Sequence, residues 1–214
     1  LIETKRARIV YTVEKETDFG TSLRNGPYAK TGFGRAVQAM IESKGAVPYV
    51  FVDFETYEPS NGAQAFFMLV PVKKDKELVG ILALQLPLDF ATEVTKPGEM
   101  ERQSLETYLI GPGGMLRSTP VHVEGRDLLA PVPGPAVAAA LKDEAGVMET
   151  TNARGEKVFS AYKPLDMPGL DWAMIAEVSV DEVMAAAHAS RDSALTAAGG
   201  VAAAVLLLGL IVAQ

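Results

Sequence analysis

The stretch YVFVDFETYEPSNGAQAFFMLVPVKKDKELVGILALQLPLDF, from Tyr49 to Phe90, decides the fold. It holds three apolar runs, 49–56, 65–72 and 78–87. The turn cluster Glu58-Pro59-Ser60-Asn61-Gly62 separates the first two, and the charged tip Lys73-Lys74-Asp75-Lys76-Glu77 separates the last two. Apolar runs bounded by turn residues and charge read as strands. Short connections make neighbouring strands antiparallel. The expectation is a three-stranded meander, with any ligand touching its sheet.

Alternation sorts the side chains into faces. In the first run Tyr49, Phe51, Asp53 and Glu55 share one side, and Val50, Val52, Phe54 and Thr56 the other. Both faces are largely apolar, so a covering layer is expected on each. Asp53 and Gln85 lie deep in these strands. A carboxylate taken out of water needs a partner, because leaving it unpaired is costly. That partner is a backbone N–H, a Lys or Arg, or a ligand.

Outward from the sheet, residues 1–3 and 8–16 read as a hairpin around Lys5-Arg6-Ala7. Residues 18–33, DFGTSLRNGPYAKTGF, are broken into turns by glycine and proline. Thr21 and Ser22 are candidate caps of a short helix there, and Phe19, Tyr28 and Phe33 are candidate lids on the sheet. Residues 34–43 form a short amphipathic helix that Lys44-Gly45 ends. Lys96-Pro97-Gly98 marks a boundary. A second cycle follows: a hairpin over 106–118 around Gly111-Pro112-Gly113-Gly114, an irregular proline-rich loop at 119–135, a short helix at 136–142, and strands at 146–151, 157–164 and 171–178. The order hairpin, loop with helix, three strands occurs twice, which is an architectural repeat. Ser179-Val180-Asp181-Glu182 is a capping-box sequence that starts a final helix.

Composition narrows the function. The 214 residues carry a net charge of −7, which argues against a nucleic-acid partner. With no cysteine there is no disulfide, thiolate nucleophile or cysteine metal site. The two histidines, His122 and His188, have no metal-ligand spacing, and no GxSxG, HExxH or phosphate-loop motif occurs. The expectation is a non-enzyme without cofactor or metal. Residues 194–213 hold no charged side chain, and about 20 apolar residues span a bilayer as a helix. A membrane span is expected there, continuous with the helix from 179. The chain starts without Met or leader and stops at Gln214, and is expected to be a piece cut at both ends.

Three stretches carry a resemblance: IVYTVEKETDFGTSLRNGPYAKTGF, VDFETYEPSNGAQAFF with LVGILALQLP, and ETYLIGPGGMLRS. They are similar to the double Cache sensor, the tandem PAS-like extracytoplasmic region of bacterial methyl-accepting chemotaxis proteins and related transmembrane receptors. The resemblance implies an α+β fold of two PAS-like modules, each an antiparallel sheet with short helices and loops on its face. The membrane-distal module would be 1–95, the proximal one 96–178, the juxtamembrane helix 179–193 and the transmembrane helix 194–213. It implies ligand sensing in the distal module, signalling through the membrane helix, and residues 1–193 outside the bacterial inner membrane. The expected partners are a small-molecule ligand, the membrane and a second copy of the chain, for which the apolar spacing over 180–194 offers a seam. The ligand-binding set expected on geometric grounds is Tyr49, Asp53 and Gln85 on one strand face, with Tyr28, Tyr57 and Phe66 at its rim. The alternatives are the sensor of a histidine kinase or membrane cyclase, or a module that docks a periplasmic protein.

Overall fold

The computed structural model describes residues 1–96, 103–120 and 128–185. It is an α+β structure with two five-stranded antiparallel sheets. The first sheet contains β1 (Ile2–Glu3), β2 (Arg8–Ile9), β3 (Val50–Tyr57), β4 (Ala63–Lys74) and β5 (Glu77–Leu86). Its order is β2-β1-β5-β4-β3. The second contains β6 (Glu106–Gly111), β7 (Met115–Leu116), β8 (Gly146–Thr151), β9 (Lys157–Pro164) and β10 (Ala173–Ser179), in the order β7-β6-β10-β9-β8. Adding five to each number in the first order gives the second, so the repeat read from the sequence is a repeat of topology. Helix α1 (Gly32–Glu42) covers the first sheet, α2 (Phe90–Thr95) follows β5, and α3 (Pro135–Ala140) packs on the second sheet.

Local chemistry explains α1. Thr31 is its N-cap, and its Oγ1 accepts from the Gly34 N–H at 2.9 Å. Two further orphan amides, those of Gly32 and Phe33, donate to the Glu55 carboxylate of β3 at 2.6 and 2.8 Å. A carboxylate at a helix N-terminus satisfies free donors and opposes the helix dipole. The helix is thereby tied to the sheet it covers. Phe33, Val37 and Met40 form its buried stripe. Left-handed Lys44 and Gly45 end it, as the sequence predicts.

One irregularity redirects the sheet. Val52 pairs with Phe67 and Glu55 with Ala65, so Asp53 and Phe54 together oppose Phe66. Such a bulge shifts the alternation by one residue. Tyr49 and Phe51 lie on the face opposite α1, whereas Glu55 and Tyr57 lie on the α1 face. The single face predicted for Tyr49, Phe51, Asp53 and Glu55 is thus split.

Both faces are covered. The α1 side holds a core that includes Leu23, Phe33, Val37, Tyr57, Phe67 and Leu69. The other side, around Phe51 and Phe66, packs against Leu109, Leu170 and Trp172 of the second half.

Three expectations change. The strand predicted over 8–16 stops at Ile9, and 10–16 runs on as an irregular strap with Lys15 in a left-handed conformation. No helix forms at Thr21 and Ser22: Thr21 Oγ1 donates to the Asp18 carbonyl, and Ser22 bridges to Arg8. In the capping-box sequence the Ser179 N–H donates to Ser104 Oγ, while the Glu182 carboxylate accepts from the Gln103 and Ser104 amides. The helix from 180 is therefore anchored to the strand-entry segment before β6. Among the described residues no helix is long and apolar enough to cross a membrane. The span expected at 194–213, the juxtamembrane residues 186–193 and both histidines lie outside the described residues.

Candidate ligand-binding cavity

Strand β1 is only two residues long and pairs with Gly80 and Ile81 of β5 alone. Beyond that pairing, Leu82 to Gln85 of β5 border an open space instead of a neighbouring strand. The strap at 11–16 crosses over this gap and bounds a half-open cavity of about 390 Å³. That size falls within the range of small-ligand sites. The floor is aromatic. Phe33 from α1 stacks on Phe67 from β4 at 4.5 Å, and Tyr57 meets Phe67 edge-on at 5.1 Å.

Glu14, Glu16 and Asp18 all line the cavity. Asp18 is 7% exposed. Its Oδ2 accepts from the Tyr57 hydroxyl at 2.8 Å, but its Oδ1 is buried with no hydrogen-bond partner. Burial, reinforced by the bond to Asp18, pushes the Tyr57 hydroxyl far above its ordinary pKa, so Tyr57 remains a donor. At the rim, Ser60 Oγ donates to Glu16 Oε2 at 3.1 Å and accepts from Gln85 Nε2 at 3.4 Å. Among the described residues no Lys, Arg or His side chain lines the cavity.

The six residues expected to bind ligand do not converge. Tyr57 and Gln85 line the cavity, and the Tyr28 ring packs on Tyr57 at 6.0 Å with its hydroxyl bonded to Thr17. Tyr49, Asp53 and Phe66 lie on the opposite face of the sheet. The register explains the split: Gln85 pairs with Phe67, which pairs with Val52, so these three share the α1 face.

Asp53 has a different set of partners. Its two oxygens receive a bidentate pair from Arg117, Nε at 2.7 Å and Nη2 at 2.8 Å. Trp172 Nε1 and the Phe54 amide also donate to Oδ1, at 3.0 and 2.8 Å. The expected need for a partner is met by a cation and an indole from the second sheet's half of the chain. Around this pair Trp172 stacks on Phe54 and Phe66 at 6.0 and 5.2 Å, and the Phe51 amide donates to the Pro168 carbonyl at 2.8 Å.

Asp18 and Glu14 were not singled out by the sequence reading, which placed Glu14 and Glu16 inside a strand. The signal was present as the alternating acids of EKETD, three carboxylates within five residues beside a turn.

No protein-family model matches the chain, and no curated protein does. Solved structures give distant likenesses. The ligand-binding domain of the Pseudomonas aeruginosa PAO1 amino acid chemoreceptor PctB, in complex with L-Gln, is 16% identical with a TM-score of 0.49, covering 83% of this chain and 68% of that one. The extracellular domain of mmHK1S-Z3, named as a histidine kinase, is 22% identical with a TM-score of 0.48, over 69% of this chain and 55% of that one. The ligand-binding domain of the Pseudomonas fluorescens chemoreceptor CtaA, in complex with L-leucine, is 14% identical with a TM-score of 0.47, over 74% and 62%. The chain thus spans little more than half the length of some of the sensor domains it is similar to.

Proposed function

We propose that this chain is the extracytoplasmic sensing region of a bacterial transmembrane receptor of the chemoreceptor type, and that it binds a small molecule in the cavity of the first sheet. The observation that carries this reading is the cavity itself. It is bounded by an irregular strap, floored by aromatic rings and walled in part by Asp18, whose buried Oδ1 has no hydrogen-bond partner among the described residues. An orphan buried acceptor costs folding free energy, about 1–3 kcal/mol. A ligand donor placed there recovers that cost on binding. The repeated strand order and the sequence resemblance to double Cache sensors point the same way.

Signalling follows from the packing. Ligand enters between the strap and β5, and the sheet's other face is bonded through Asp53 to Arg117 and Trp172. The second sheet leads through β10 into the helix at 180. A shift of the first sheet by about 1–2 Å is of the size that moves signalling helices. Ligand must favour one of two arrangements for this to work.

The test is thermal shift of the purified chain against a metabolite library of amino acids, organic acids, amines, sugars and purines. A ligand at 100 times its dissociation constant should add about 2.7 kcal/mol of stability. Docking of a periplasmic protein is the second reading, favoured by Tyr11 and Val13 of the strap, 60% and 79% exposed. The absence of any shift across the library rejects the sensor reading in favour of docking.

A further inference from the structure

We infer that the cavity selects a small organic amine without an acid group, its protonated nitrogen held by Asp18 and its apolar body on Phe33 and Phe67. This rests on the reading of the cavity as a sensing site and names its ligand class. Three observations carry it. The first is the orphan Oδ1 of Asp18, buried in a residue of the cavity wall while Tyr57 occupies Oδ2. A carboxylate oxygen only accepts, so the group that completes it is a donor. The second is the local charge. Glu14 and Glu16 also line the wall, and no lining side chain among the described residues is cationic. The third is the floor. Phe33, Tyr57 and Phe67 line the cavity as packed rings, an apolar surface that suits an alkyl or aryl body.

The same features disfavour an α-amino acid. Its ammonium would be served by Asp18, but its carboxylate would enter a wall that already carries three acids and offers no cationic side chain. Like charges drawn into one partly buried site repel, and a desolvated carboxylate without a partner is costly. Specificity here comes from rejection as much as from attraction.

Matched probes test this on the wild-type chain, purified in a mild detergent. Isopentylamine, L-leucine, 4-methylpentanoate and isopentyl alcohol share one alkyl body and differ in the head group. The set 2-phenylethylamine, L-phenylalanine, 3-phenylpropionate and 2-phenylethanol does the same for an aryl body. Isothermal titration should rank the amine first in each set, by about tenfold or more over the alcohol. Asp18→Asn keeps an acceptor for Tyr57 and removes the charge, and should weaken the amine by about tenfold or more while leaving the alcohol within about twofold. Glu16→Gln, at the half-exposed rim, should cost the amine less than about fivefold and serves if the Asp18 variant fails to fold. Tighter binding of the amino acid or the acid, or an amine affinity unmoved by both substitutions, overturns the amine assignment and leaves the sensor reading standing. Failure of every amine to bind at 10 mM, roughly a hundredfold above a dissociation constant of 0.1 mM, overturns it as well. The sensor reading falls only if the wider library also gives no shift.

Discussion

At the scale of single residues, Asp18 stands in the cavity wall where the sequence suggests Asp53, and Asp53 joins the two halves of the chain instead. Both are acids within apolar surroundings, and the physics that demands a partner for one demands it for the other. Asp53 has four donors, including a bidentate arginine 64 positions away in sequence. Asp18 has one oxygen satisfied and one left over. That Asp53 needs a partner is legible in the sequence; that Arg117 and Trp172 supply it is not, because both come from the second half of the chain. Replacing Asp53 by Ala strands the Arg117 guanidinium, whose side chain is 7% exposed. Removing one member of a buried pair costs about 3–5 kcal/mol, and the 28% exposure of the Asp53 side chain places this pair near about 3 kcal/mol. Urea denaturation should show that loss. Ligand affinity in the cavity should stay within about threefold, because the pair lies on the opposite face of the sheet. Unchanged stability would mean that Arg117 is served elsewhere.

Elements show why residue-level reading succeeds in part. The strands of the meander and the positions of α1 and α3 are legible because apolar runs and turn residues are local signals. The bulge at Asp53–Phe54 carries no such signal, and it alone sends Glu55 and Tyr57 to the α1 face. Glu55 then caps α1 through Gly32 and Phe33. Glu55→Ala removes both bonds at once. Loss of a helix cap costs about 1–2 kcal/mol. Because Phe33 is part of the cavity floor, the variant should also weaken whichever ligand binds, and urea denaturation and ligand titration of the variant beside the wild type check both effects. In the second sheet Glu106 of β6 lies directly opposite Glu177 of β10. Burial raises the pKa of Glu177, the Tyr108 and Ser160 bonds oppose this, and the Glu106 charge adds to it. A carboxyl with a raised folded-state pKa holds its proton more tightly when folded. Its contribution is therefore favourable at low pH and is lost as pH rises through the folded value. Glu177→Gln should stabilise the chain at pH 7, and the gain should shrink as the pH falls towards 4. A gain independent of pH would remove the titration of Glu177 as its cause.

The whole molecule is two sheets of one topology joined by a seat of defined chemistry. Trp172, Phe54 and Phe66 form a three-ring cluster, the Asp53–Arg117 pair closes one edge, and the loop before β10 lies on β3. The repeat is visible in the sequence as an order of elements, yet nothing in that order shows which surfaces meet, because the contacts pair residues 64 to 119 positions apart only after both sheets exist. Gly169 marks the closest approach. Its φ is +90°, and a Cβ added there would lie 2.2 Å from the Phe51 carbonyl oxygen. Neither the backbone conformation nor the space admits a side chain. Gly169→Ala should therefore lift the loop from β3, break the Phe51–Pro168 hydrogen bond and unstack Trp172. Strain of this kind costs about 1–3 kcal/mol. For a chain of this size that corresponds to a fall in Tm of roughly 2–12 °C. Calorimetry should show one cooperative transition for the wild type and a lowered or divided transition for the variant. Trp172 fluorescence should shift to the red at temperatures where the far-UV signal is still native. A variant that melts as the wild type does, with unshifted fluorescence, would mean that the seat does not couple the sheets, and the route from cavity to helix would have to run elsewhere.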